Sequence, residues 1–157
     1  MPASWILNVR YLMRVYLDNC AFNRPFDDQS QSRIRVEAEA VLAIREKIES
    51  NAVELVWSYV IDLEIAGNPF PLRRQSAETW KDLSIIEIAP SIKIVSEAIE
   101  LRNRGLREID ALHVACAIAS KSHYFITTDD GILKKSAFVE NITVANPIEF
   151  FELINEL

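Results

Sequence analysis

The sequence predicts an α/β fold, a three-layer α/β/α sandwich around a central, mainly parallel sheet. Three observations carry this. Short β-branched and aromatic runs alternate with helical patterns along the chain, and several of those runs are apolar at almost every position, as strands covered on both faces are. The third is length: 157 residues suffice for one core and not for two ordinary domains, and no repeat, low-complexity tract or Ser/Gly linker divides them. Residues 14–157 therefore read as a single domain. Residues 1–13 read as an N-terminal extension, and Met13, directly before the first strand, would make them the product of an upstream start.

The elements follow in order. "RVYLD", residues 14–18, is a strand that runs into a polar loop, "NCAFNRPFDD". In "QSRIRVEAEAVLAIREKIES", Ile34, Ala38, Val41 and Ile48 share a helical period, leaving Arg33, Arg35, Glu37, Arg45 and Glu46 for solvent. Residues 53–57 give a second strand, and Ser58 caps a short helix, "YVIDLEIAG", that Gly67 and Asn68-Pro69 close. Residues 71–83 look helical, and "SIIEIAP" reads as a short strand or a connector. Helices resume over 91–103 and 108–121 with Gly105 between them; "HYFITT" and "NITVA" are strands, each followed by a helix.

Composition narrows the function classes. Half the residues are apolar and a quarter charged, with only 3 glycines and 6 prolines, which excludes disordered and fibrous chains. No apolar run approaches the roughly 20 residues that cross a bilayer. The first segment makes a poor signal peptide, interrupted by Asn8 and Arg10, so the expected place is the cytoplasm. Cys20 and Cys116 have neither ligand spacing nor a disulfide framework around them. The net charge of −6 argues against a broad basic groove for duplex DNA, yet not against a nuclease, whose metal-binding carboxylates contribute to that total.

Four acids stand where surface solvation explains them poorly. Asp18 and Asp129 end strands, at the carboxyl edge where parallel sheets collect ligands. Glu64 lies on a short apolar helix directly after a strand, and Asp110 opens a helix, "DALHVACAIA", apolar nearly all round. A buried aspartate there is offset only in part by the helix dipole. Four carboxylates facing one crevice raise one another's pKa unless a cation neutralises them. An oxygen-only ligand set suits Mg²⁺ or Mn²⁺ and disfavours Zn²⁺. His113, one helical turn past Asp110, reads as a histidine bonded to a neighbour and stays outside the set; Asp62, on another helical face from Glu64, reads as a surface acid.

Together these residues resemble the PIN domain, the small α/β ribonuclease module of VapC-type toxins and their relatives. "YLDNCAF" resembles the first block, a strand ending in the first acid, Asp18; "WSYVIDLEIAG" resembles the second, with Glu64. "REIDALHVACAIA" is similar to the third, with Asp110, and "YFITTDDGI" to the fourth, Thr-x-Asp, with Thr127 and Asp129. The resemblance runs from about Arg14 to Ile154, with Asn19-Cys20 and a long charged loop as departures.

The resemblance implies a metal-dependent endoribonuclease whose catalytic and metal-holding residues are Asp18, Glu64, Asp110 and Asp129. Hydrolysis would leave 5′-phosphate and 3′-hydroxyl ends. Asn19, Thr127 and Asp130 are supporting candidates around the acids, with Asp130 also a helix cap. Arg24, Arg102, Arg104 and Arg107 are the local cations able to position RNA phosphates. An antitoxin protein, if the chain is the toxin of a type II pair, and a second copy in a homodimer are the implied partners. Two other readings compete: a non-catalytic PIN-like module that binds RNA or a protein, and a haloacid-dehalogenase-like phosphatase, which needs an acid where Cys20 stands.

Overall fold

The computed structural model describes residues 12–155. Five strands form one sheet in the order β3-β2-β1-β4-β5: β1 (Met13–Leu17), β2 (Val53–Ser58), β3 (Ile86–Ile88), β4 (Tyr124–Ile126) and β5 (Thr143–Ala145). Every pairing is parallel, with Val15 opposite Leu55 on one side and Tyr124 on the other. The expected mainly parallel sheet is thus parallel throughout.

Among the described residues, eight α-helices connect and cover the strands: α1 (Asn19–Asn23), α2 (Ser32–Glu49), α3 (Tyr59–Ala66), α4 (Pro71–Lys81), α5 (Ile92–Asn103), α6 (Glu108–Ala119), α7 (Asp130–Lys134) and α8 (Pro147–Asn155). α6 packs on β2 and β4 with α5 against it, and α2 packs on β2 with α8 beside it. β1 lies in the middle, and its Val15, Tyr16 and Leu17 have no exposed surface. That is why its sequence is apolar at successive positions instead of alternating.

Several local expectations hold for their stated reasons. Ser58 Oγ accepts from the Ile61 amide (3.3 Å) and caps α3, while Gly105, at φ 117°, takes the left-handed turn that ends α5. "SIIEIAP" resolves into the strand β3.

Two expectations fail. The stretch after Asp18, read as a loop, contains α1 and a 3₁₀ turn over Arg24–Phe26. Phe22 drives this, because its buried ring packs between Trp57 and Trp80, at 5.2 Å from each. Glu37, read as solvent-facing, is fully buried. It accepts from Arg24 Nη2 (2.9 Å) and from Asn146 Nδ2, with Arg33 at 3.6 Å, so α2 is tied through one carboxylate to the turn after α1 and the loop after β5. A partner 109 residues away leaves no mark on the helical period.

Candidate active site

The chain builds β1, β2 and β3 to one side and then returns to place β4 on the other side of β1. The crevice at such a reversal is where open parallel sheets bind ligands. Asp18 stands there: its amide still donates to Ile126 of β4 (2.9 Å), while its carboxylate turns over the edge. That carboxylate is buried, accepting from the Asn19 amide (2.8 Å), Thr127 Oγ1 (2.9 Å) and Cys20 Sγ (3.4 Å). Burial pushes the Asp18 carboxyl above its ordinary range; His113 and the Thr127 bond oppose the shift, and Glu64 adds to it.

Glu64 reaches the same place from α3. Its Oε1 meets Nε2 of His113, and Asn19 Nδ2 lies 3.5 Å from Oε2. His113 is the residue that sequence reasoning left out. It is buried on α6, its Nε2 is 3.8 Å from Asp18 Oδ1, and its Nδ1 is 2.6 Å from Tyr16 Oη, which in turn is 2.6 Å from Ser58 Oγ. Asp18, Glu64 and His113 each offer an atom within 4.8 Å of the other two. A nitrogen thus stands among the carboxylates that the sequence groups, with its face turned to Glu64. The shared helical face with Asp110 was a visible signal, whereas the inward-facing Tyr16 on β1 that receives His113 was not.

Asp110, in the first turn of α6, is half-buried, and its carboxyl is pushed up to about 6, first by burial and then by the charges of Asp18 and Asp129, with His113 and Arg107 opposing. The four predicted acids thus act on one another electrostatically: Asp18 with Glu64, and Asp110 with Asp18 and Asp129. Asp129 takes the capping role that Asp130 was expected to fill. Its Oδ1 accepts from the amides of Gly131 (2.7 Å) and Ile132 (3.2 Å), and its own amide donates to Thr127 Oγ1 (3.0 Å). A Cβ at position 131 would stand 2.9 Å from that oxygen, which explains the glycine. Asp130 points away, paired with Arg33 at 2.6 Å.

Thr127 therefore links the first and fourth acids, and Asn19 links the first and second. Of the candidate cations, Arg24 is taken up by Glu37 and by Asp27 (3.1 Å). Arg102, in the last turn of α5, and Arg104 and Arg107, between α5 and α6, are exposed, Arg104 donating to the Phe138 carbonyl at 3.3 Å. Asp62 is turned from the cluster, as expected, and pairs with Trp57 Nε1 (2.8 Å) and Lys81 (3.1 Å).

Carboxylates raised by burial and by one another, with one oxygen of Asp129 outside its cap, fit a hard divalent cation that would relieve the repulsion. The described residues contain no helix long and apolar enough to cross a membrane.

The model of the PIN domain family matches residues 15–138. No curated protein matches significantly. Solved structures with similar folds include VapBC2 from Rickettsia felis bound to a promoter DNA fragment, with 15% identity, TM-score 0.56, and coverage of 85% of this chain and 98% of that one. FitAcB from Neisseria gonorrhoeae is similar at 16% identity and TM-score 0.55, over 85% of this chain and 97% of that one. At such identities the likeness is one of fold.

Proposed function

The chain belongs to the PIN domain family, and from that premise we propose that it is a Mg²⁺- or Mn²⁺-dependent endoribonuclease with Asp18, Glu64, Asp110 and Asp129 as its metal-holding and catalytic acids. The observation that carries the reading is the gathering of acids from four separate elements at the β1/β4 crevice, with Asp110 pushed up to about 6 by burial and then by Asp18 and Asp129. A divalent ion held by these acids would supply Lewis-acid chemistry and an activated water for phosphodiester hydrolysis. Asp18 is kept in place by Thr127 and the Asn19 amide, so its oxygens present a fixed edge to the cation. Asp129 is held by its α7 cap in the same manner. Arg107, whose charge acts on Asp110, positions the RNA backbone, with exposed Arg102 and Arg104 as further phosphate contacts, whereas Arg24 serves the fold.

The same reading makes the chain the toxin of a pair, held in check by an antitoxin, and places it in the cytoplasm. The fold likeness to VapBC2 supports the pairing. A homodimer is supported by α5, whose Ile92, Val95 and Ile99 are exposed on one side. The test is cleavage of single-stranded RNA with Mg²⁺ or Mn²⁺. Asp18→Asn and Asp110→Asn each lower the rate at least about a hundredfold, as loss of a group acting on transition-state charge does. Undiminished cleavage in both variants would remove the four-acid assignment.

A further inference from the structure

Ser58, Tyr16, His113 and Glu64 form a hydrogen-bonded chain from the cap of α3 to the acid cluster, and the first three are buried. Its proton arrangement follows from its members. Ser58 Oγ already accepts from the Ile61 amide, so its proton is free for Tyr16 Oη. Tyr16 keeps its proton, because burial holds its phenol well above the usual range. Its O–H then goes to His113 Nδ1, which leaves the ring proton on Nε2, facing Glu64. If the ring carries both protons instead, Nδ1–H donates to Tyr16 and Nε2–H still faces Glu64. A bare Nε2 lone pair against a carboxylate is repulsive, so in either state this nitrogen is a donor and not a free metal ligand.

Glu64 is less buried than the other members and lies on a short helix, and the Asp18 charge beside it favours rotation outward. A donor that meets Glu64 Oε1 and lies 3.8 Å from Asp18 Oδ1 holds the two carboxylates together in the absence of a cation. We infer that His113 is a positioning residue, which through the Ser58–Tyr16 relay orients Glu64 as a preformed ligand and so sets the metal affinity of the site. This rests on the acids binding a divalent cation. Groups that hydrogen-bond to a metal's ligands commonly contribute about 10–100-fold in affinity.

The experiment is calorimetric titration of Mn²⁺ into the folded wild type and variants, with circular dichroism as the check on folding. His113→Leu weakens Kd about 10–100-fold. His113→Gln, whose side-chain amide can also donate to Glu64, restores most of the affinity. In a Glu64→Gln background, His113→Leu has little further effect. Wild-type affinity in His113→Leu overturns the inference, and so does an undiminished loss in the Glu64→Gln background, which would make His113 a ligand in its own right. If His113→Leu does not fold, Tyr16→Phe decides: weakened uptake supports the relay, and an unchanged Kd overturns it. A wild type that takes up no Mn²⁺ overturns both the metal site and the inference, whereas wild-type uptake with indifferent variants overturns the inference alone.

Discussion

Replacing Asp110 by Asn separates the cost of the acid cluster from its use. Asp110 has its carboxyl pushed from 3.8 to about 6, chiefly by burial and then by Asp18 and Asp129. At about 1.4 kcal/mol per pKa unit, two units correspond to about 3 kcal/mol against folding when the group is ionised. Asp110 is only half-buried, so solvent screening reduces this to about 1–2 kcal/mol, and the lost attraction to the α6 N-terminus takes away about 0.5 kcal/mol more. A raised folded-state pKa means that the native protein binds the extra proton. The penalty is absent below about pH 4, grows between pH 4 and 6, and is complete above about 6.

Asp110→Asn is therefore expected to be about 1 kcal/mol more stable than the wild type at pH 7.5 in EDTA, a rise of roughly 2–4 °C in Tm for a chain of this size. At pH 4 the two are expected to match. Saturating Mn²⁺ reverses the order, because the wild type gains stability from the bound ion and the variant gains less. Thermal melts at both pH values, with and without metal, measure all three. A variant less stable than the wild type at pH 7.5 in EDTA, or equally shifted at both pH values, would refute the electrostatic reasoning.

Two further outcomes are expected elsewhere. Glu37→Ala leaves the buried Asn146 amide without its acceptor and the partly buried Arg24 with Asp27 alone, and costs about 1–3 kcal/mol, as an unsatisfied buried polar group does, read from urea unfolding. Thr127→Val removes the O–H donated to Asp18 and the oxygen that accepts from the Asp129 amide, costs about 1.5–3 kcal/mol, and weakens Mn²⁺ binding by calorimetry.

The candidate site was legible in outline because its acids sit at positions whose local sequence betrays them. A carboxylate closing an all-apolar strand, as at Asp18, or opening an all-apolar helix, as at Asp110, conflicts with burial unless something compensates it. The role of Asp130 was misread because two adjacent aspartates offer the same capping chemistry. Only Asp129 has its carboxylate over the Gly131 amide, while Asp130 meets Arg33, 97 residues away in sequence.

By itself, the sequence determined the layers, the parallel sheet and two of the three strand-to-helix junctions that carry acids, since strand and helix periods and caps are written in neighbouring residues. Only the tertiary structure decided that α1 forms after Asp18, that Glu37 is a buried tie, and that His113 joins Tyr16 to Glu64. Each of these depends on a partner brought in by another element: Trp57 and Trp80 for Phe22, Asn146 for Glu37, and the inward side of β1 for His113. Periodicity reports which face of an element is apolar; it carries no information about which distant polar group that face will meet.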